Sequence, residues 1–319
     1  MSWRDWMASA LYDPGHGYYT CRIRTVGRRG DFATSATLGD ALGRAVAAWV
    51  KEEWQRAGEK LSLIEMGPGD GSLHDGVLKA LGWMGRRGVS SHLVEVSPVL
   101  RGVQQEKLRG RSRRTTWHGN MAAALAACGG RAVIFSNELA DAFPATLLQW
   151  QDGVWQEVWL NIAANGAIVE ELRECPAGLD SSATGLNCSE GQRIEVLHSW
   201  REWLQGWRPG WTAGAMLTVD YGGTPEEIYH RRPGGTARGY LHHQPLEAGE
   251  LYAVTGRCDI TVDVNFTDLR RWGEAAGLTT AEYLTQREFV SARTAVADAV
   301  HGEGNAGDAF RCLIQRPAA

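Results

Sequence analysis

The sequence predicts a doubly wound α/β protein built on a mostly parallel sheet of seven strands, and three observations lead there. Short apolar runs alternate with stretches of helical period through the middle of the chain. A glycine-rich loop, Gly67-Pro68-Gly69-Asp70-Gly71, follows the first of those runs, and a stretch of hairpin signals interrupts the alternation near residue 150.

The alternation begins after a helix expected over 38–55, where Leu42, Val46, Trp49 and Val50 recur at helical period. Strands at 61–66, 91–96, 115–117 and 132–136 then enclose helices at 73–81, 98–108 and 121–127. Such order implies parallel strands joined by right-handed crossovers. Ser97 and Pro98 suit the N-cap and first turn of their helix.

From 147 to 172 the pattern shortens to strands at 147–150, 154–160 and 167–172, joined at Asp152-Gly153 and Asn165-Gly166. Those dipeptides mark hairpins, so an inserted β-meander is expected, followed by a loop at 180–191 and an amphipathic helix over 193–207. The parallel sheet resumes at 215–220. Residues 224–264 show little periodicity and read as a long loop. Helix 266–276, strand 279–284, helix 288–300 and strand 309–315 close the chain. The first forty residues are loop-rich, with turn chemistry at residues 13–17 and 27–31, which suggests an arm or lid. The expected organisation is therefore an arm and helix over 1–55 covering a ligand site. A main domain over 56–319 carries insertions at about 145–192 and 222–264, a β-meander and helical region for substrate.

Composition narrows the class. The chain has 319 residues, 44% hydrophobic and 22% charged, ample for a large core. A net charge of -4 and a pI near 6.2 argue against a long nucleic acid as main partner. The arginines at 109, 111, 113 and 114 read as a solvated loop. No apolar run is long enough for a bilayer, so no membrane association is expected. Six cysteines are scattered without metal-ligand spacing, and the first residues show neither a secretory core nor a transit-peptide composition; the expectation is a cytoplasmic protein with reduced thiols and no metal. The 14 tryptophans read as core packing.

Ligands of open α/β sheets bind at the carboxyl ends of the strands, beside the switch in strand order. The glycine loop lies there, and Glu95, at the tip of the next strand, is placed to accept hydrogen bonds from two ribose hydroxyls. A nicotinamide dinucleotide would need a GxGxxG/A spacing and a pyrophosphate at the helix N-terminus. Here the glycines are Gly67, Gly69 and Gly71, Ser72 follows, and Asp70 opposes a phosphate. Glu65 can organise the loop and receive a positively charged amino-acid moiety. The residues favour S-adenosylmethionine. Asn137, Glu138 and Asp141, after the strand at 132–136, face the same crevice by topology and mark the edge near the reacting group.

At these residues the sequence resembles the MidA-like methyltransferases, which include the mitochondrial complex I assembly-factor arginine methyltransferase. The resemblance runs through Ala10-Leu11-Tyr12-Asp13-Pro14, Gly17-Tyr18-Tyr19, Gly30-Asp31-Phe32-Ala33-Thr34-Ser35, the loop from Glu65, and Val94-Glu95-Val96-Ser97-Pro98 with Gln104. It continues through Asn137-Glu138 to Asp141-Ala142-Phe143-Pro144, Val219-Asp220-Tyr221-Gly222, Gly235-Thr236, and Cys258-Asp259-Ile260-Thr261 to Phe266. It implies a class I, Rossmann-like methyltransferase with S-adenosylmethionine as cofactor and a protein side chain, arginine in particular, as acceptor. It also implies that Gly30, Asp31 and Thr34 close over the cofactor. The chain departs from the family pattern at Thr37, where a Glu is usual, and at Asp70, where an Arg is common.

Methyl transfer asks a protein for alignment and a water-poor site. Glu138, with Asp141 or Asn137, would orient a guanidinium or other nitrogen, and Asp220 and Tyr221 would line the facing wall on the substrate side. Two readings of other classes stand beside this one, a cofactor-binding scaffold without catalysis and a nicotinamide-dependent oxidoreductase. Composition leaves the oligomeric state open.

Overall fold

The computed structural model describes residues 1–23, 40–110, 114–175, 177–241, 244–295 and 306–318. The chain divides into two compact units, one of Ile23–Leu139, Trp203–Tyr221 and Trp272–Ala319, the other of Met1–Arg22, Ala140–Glu202 and Gly222–Arg271. Its helices are α1 (Trp3–Tyr12), α2 (Ala41–Ala57), α3 (Ser72–Arg86), α4 (Pro98–Lys107), α5 (Met121–Ala127), α6 (His198–Trp207), α7 (Pro225–Tyr229), α8 (Ala248–Leu251), α9 (Phe266–Ala275) and α10 (Gln286–Arg293). The strands are β1 (Ser62–Met66), β2 (Ser91–Val94), β3 (Thr115–His118), β4 (Ala132–Asn137), β5 (Thr146–Gln151), β6 (Val154–Ile162), β7 (Ile168–Glu174) and β8 (Arg193–Val196). They continue with β9 (Met216–Gly223), β10 (Arg238–Leu241), β11 (Gln244–Glu247), β12 (Asp259–Thr261), β13 (Val264–Asn265), β14 (Leu278–Thr285) and β15 (Phe310–Pro317).

In the first unit seven strands run in the order β14-β15-β9-β4-β1-β2-β3. The strands from β9 to β3 are parallel, and β15 is antiparallel to both β9 and β14. This is the mostly parallel, doubly wound sheet that the alternation predicts. The inner strands are apolar on both faces. Leu63, Leu93, Phe135 and Leu217 face Val46, Trp49 and Val50 of α2, Val77 and Leu81 of α3, and Phe289 of α10. Their neighbours of opposite parity, Ile64, Val94, Ile134 and Met216, pack with Met121 and Leu125 of α5 and with Trp207 and Trp211. Trp49, Trp54, Trp200 and Trp207 are buried as expected, whereas Trp203 is half-buried and Trp83 is exposed.

The second unit carries the meander as an antiparallel sheet ordered β7-β6-β5-β8. Its first turn is at Asp152 (φ 52°) and Gly153 (φ 79°), as the dipeptide requires. Three expectations need correction. The helix expected over 193–207 begins only at His198, because residues 193–196 pair as β8 with β5. The loop-rich opening contains α1, whose stripe of Trp3, Trp6, Met7, Ala10 and Leu11 is buried, and whose N-cap Ser2 accepts from Asp5 N at 3.1 Å. The aperiodic stretch 224–264 holds a three-stranded sheet ordered β11-β10-β12. Buried Glu195 on β8 anchors that stretch by accepting from Thr236 N at 2.8 Å, Thr236 Oγ1 at 2.9 Å and Ala237 N at 3.0 Å. A partner distant in sequence, invisible to local periodicity, orders it. Among the described residues no helix is long and apolar enough to cross a membrane.

Trp211 is fully buried in the core beside β4, and its indole N–H donates to Ala132 O at 3.1 Å and Ala213 O at 3.0 Å. Replacing it with alanine is expected to cost about 3–5 kcal/mol, read as a lower midpoint in urea unfolding.

Candidate functional site in the parallel sheet

Strand order reverses about β1, which has β2 on one side and β4 on the other, so the tips of β1 and β4 flank the crevice. Glu65 shares a face of β1 with Leu63 and therefore points toward the layer that contains α3. Water is excluded there. The carboxylate meets a partner instead: His74 Nδ1 of α3 lies 3.0 Å from Glu65 Oε2, and His74 Nε2 is hydrogen-bonded to Ser91 Oγ of β2. Burial pushes the Glu65 carboxyl up, and the bond to His74 opposes that shift.

The loop after β1 turns through Gly67 (φ 59°), Gly69 (φ 54°) and Gly71 (φ 81°), left-handed values that side chains disfavour. A Cβ on Gly67 would stand 2.7 Å from Leu139 Cδ1, so close approach adds to the requirement there. Gly67 N donates to Val94 O at 3.0 Å and Gly71 N to Pro68 O at 2.7 Å, which closes the turn into α3. Asp70 does not present an open charge to the crevice. Its oxygens accept from Ser72 N and Ser72 Oγ, both at 2.9 Å, and from Lys107 Nζ. Lys107 offsets the Asp70 charge, so Asp70 opposes a phosphate less than a bare carboxylate would.

Glu95, just past β2, is buried and rigidly held. Its Oε1 accepts from Ser97 N at 2.8 Å and its Oε2 from Gln104 Nε2 at 3.0 Å. The same Gln104 nitrogen donates to Gly69 O at 2.7 Å, and Gln104 Oε1 accepts from Trp117 Nε1 at 2.9 Å. One amide thus ties the glycine loop to the acidic strand tip. Burial raises the Glu95 carboxyl against the pull of these donors.

At the tip of β4, Asn137 Nδ2 donates to Glu138 Oε1 at 3.1 Å. Glu138 is half-buried and has φ 52°, a strained value for a residue with a side chain. Its backbone is fixed by Glu138 N donating to Val219 O at 2.9 Å and Leu139 N donating to Asp220 Oδ2 at 3.1 Å. Asp220 is fully buried and also accepts from Tyr221 N at 3.0 Å, while the Tyr221 ring meets Phe310 edge-on at 5.7 Å.

The unit therefore gathers Glu65, Gly67, Gly69, Gly71, Glu95, Asn137, Glu138, Asp220 and Tyr221 at the carboxyl ends of its strands. Asp141 belongs to the other unit. Gly30, Asp31 and Thr34 lie outside the described residues. Sequence reasoning missed His74 and Lys107, which no local pattern singles out, and assigned no task to Gln104.

Comparison with known proteins places the chain. Residues 45–284 match the model of a family described as "Putative S-adenosyl-L-methionine-dependent methyltransferase". The chain belongs to this family. It is a methyltransferase, and S-adenosylmethionine is its cofactor; neither the scaffold nor the nicotinamide reading is favoured. It is 30% identical over 313 residues to the mitochondrial protein arginine methyltransferase NDUFAF7 of Danio rerio, covering 90% of this chain and 71% of that one. The corresponding Xenopus tropicalis protein is 29% identical, with 90% and 70% covered. In fold the chain is similar to a COG1565 superfamily member from Burkholderia thailandensis, a structure with bound S-adenosyl-homocysteine. The TM-score is 0.82 at 24% identity, with 99% and 87% of the two chains covered. The expectation of a cytoplasmic protein is overturned by the relatives, which are named as mitochondrial proteins. The residues that build the sheet carry no compartment signal, so composition was no guide to it.

Replacing His74 with phenylalanine leaves Glu65 buried without its partner. The expected loss is about 3 kcal/mol at pH 8. It is smaller at pH 5, because the raised carboxyl then takes up a proton and sheds its charge. Urea unfolding at the two pH values checks both size and sign.

Proposed function

We propose that this methyltransferase acts on a protein side chain, with an arginine nitrogen as acceptor. The observation that carries the reading is Glu138, a half-buried carboxylate held in a left-handed turn at the tip of β4, next to the glycine loop that Leu139 packs against. Relatives named as protein arginine methyltransferases support it.

The residues fit the cofactor. The loop glycines carry no side chains of their own into the crevice, and the Glu95 carboxylate, which takes donors from Ser97, Gln104 and the Val96 amide, has four lone-pair positions for these three. Gly67, Gly69 and Gly71 would hold the nucleoside side, Glu95 the ribose hydroxyls, and Asn137 the amino-acid end, while Glu65, buried against His74, supports the loop from the layer beneath. Gly30, Asp31 and Thr34 are assigned the cover by resemblance to the family. When bound, S-adenosylmethionine supplies a methyl group on a sulfonium sulfur.

The chain's own task is to present the acceptor. Glu138 accepts from the guanidinium N–H groups, fixes their plane in fork geometry and takes the proton the nitrogen releases. Asn137 holds the carboxylate for that purpose through its 3.1 Å bond. Asp220 acts indirectly, gripping Leu139 N so that the strained turn persists, and Tyr221 lines the substrate side. The half-buried setting of Glu138 strengthens each of these contacts relative to water.

Incubation of purified protein with a lysate and methyl-labelled cofactor, followed by identification of the labelled residue, tests the reading; label on arginine is expected, and label on no protein refutes it. Glu138→Gln is expected to keep its affinity for S-adenosylhomocysteine within about twofold while transfer falls by at least about 100-fold. Undiminished turnover would remove Glu138 from the chemistry. Glu95→Ala is expected to weaken that affinity about 30-fold in calorimetry, equivalent to about 2 kcal/mol.

A further inference from the structure

On the face of the parallel sheet that α5 covers, polar side chains gather at the edge formed by β2 and β3. His92 of β2 lies two residues before Val94 and so shares its face, and its neighbour in register on β3 is Thr116. His118, two residues further along β3, shares that face as well. Ser90, just before β2, and Ser62 of β1 complete the group. All of them belong to the unit that holds the glycine loop.

The geometry centres on three atoms. His92 Nδ1 lies 3.1 Å from His118 Nε2, and Thr116 Oγ1 lies 2.8 Å from the first and 3.1 Å from the second. The rings are tilted by 41° with centroids 5.2 Å apart, so their nitrogens rather than their faces meet. Two protons at most serve the three edges of this triangle, one from the hydroxyl and one from an imidazole, because two N–H groups cannot point at each other. A metal ion serves all three edges at once. With metal–ligand distances of about 2.0–2.1 Å, ligands at right angles stand about 2.9 Å apart and tetrahedral ligands about 3.3 Å apart, so the triangle fits one face of a tetragonal or octahedral shell.

A second feature points the same way. The far nitrogen of His92, Nε2, lies 3.2 Å from Ser90 Oγ, which is itself 2.6 Å from Ser62 Oγ. A ligating histidine usually gives its other N–H to such a partner, which fixes the tautomer and turns the remaining lone pair toward the metal. Burial lowers both imidazoles from their ordinary range, so both are uncharged ligands at pH 7. His92 is buried, whereas Thr116 is exposed and His118 half-buried, so an ion has a route in along the β3 edge. Among the described residues no three of His, Cys, Asp and Glu gather around a common point for a metal. This group offers two imidazoles and a hydroxyl and leaves the remaining positions to water. The charge of Arg101 acts on His118 and tempers the affinity, so an exchangeable ion is the expected occupant.

We propose that His92, His118 and Thr116 bind a divalent transition-metal ion of the copper–nickel class, with Ser90 setting the His92 tautomer. Imidazole nitrogen suits such ions, while Mg²⁺ prefers oxygen ligands. A bound ion cross-links the edge strand β3 to β2. The assignment is independent of which acceptor is methylated.

The test uses the full chain, stripped with a chelator and then titrated with Cu²⁺ or Ni²⁺ alone. Calorimetry is expected to give one site per chain, with Cu²⁺ bound more tightly than Ni²⁺ and Mg²⁺ not bound, and electron paramagnetic resonance of the copper-loaded chain to show nitrogen splitting from two imidazoles. His118→Ala is expected to weaken binding at least about tenfold and to leave splitting from one imidazole; Ser90→Ala is expected to weaken it about tenfold with both imidazoles still ligated. Ni²⁺ should raise the thermal midpoint of the parent chain and not that of His118→Ala. A parent chain that takes up neither ion overturns the proposal. So does a copper signal and affinity unchanged in His118→Ala, which would assign the ion to other surface histidines. Should His118→Ala fail to fold, the parent chain decides by nuclear magnetic resonance: substoichiometric Cu²⁺ should broaden the ring signals of His92 and His118 before those of the other histidines, and the reverse order overturns the proposal.

Discussion

The central constraint is that β1 is covered on both faces. A strand in that position is apolar throughout, or each polar residue on it brings a partner into the dry layer. Glu65 is the charged residue on β1, and His74 is its partner, placed one layer away by α3. The loop between them therefore begins and ends on fixed points. That loop forms the floor of the crevice, and Gln104 fastens it to Glu95.

Burial raises four carboxyls, Glu65, Glu95, Glu195 and Asp259, yet their surroundings separate structural from functional roles. Glu195 is ringed by donors from Thr236 and Ala237 and from Tyr229, which makes it an anchor for the chain around it. Glu95 keeps acceptor capacity and sits at a strand tip. Asp259 accepts from the Tyr19 hydroxyl and the Ile260 amide and feels both the like charge of Asp141 and the opposite charge of Arg238. The backbone strain at Glu138 sets it beside Glu95, because an uncommon φ persists only where the surroundings impose it. Here the amides of Glu138 and Leu139 are both bound to the β9 end, at Val219 and Asp220.

Much of the parallel sheet was legible, since strands buried on both faces leave unbroken apolar runs and crossover helices leave a 3.6-residue period. The glycine spacing and Glu95 were legible for the same reason: a tight left-handed turn admits few residue types. The small sheet at 224–264 was not, because its strands are short and its ordering carboxylate, Glu195, comes from another part of the chain. The start of α6 was misplaced because four residues of β8 share its amphipathic character. Helix α1 was hidden by the turn residues that follow it, although its buried stripe was present in the sequence.

The amino-acid order alone determined the strand and helix alternation, the glycine turn and the acidic tip of β2, because each follows from contacts between residues close along the chain or from one residue's allowed backbone angles. Only the tertiary structure decided that Glu65 meets His74, that Lys107 offsets Asp70, and that Tyr19 and Asp141 gather at Asp259. Those pairings depend on which faces of separate elements come together, and a side chain's neighbours across a packed layer have no fixed separation in sequence.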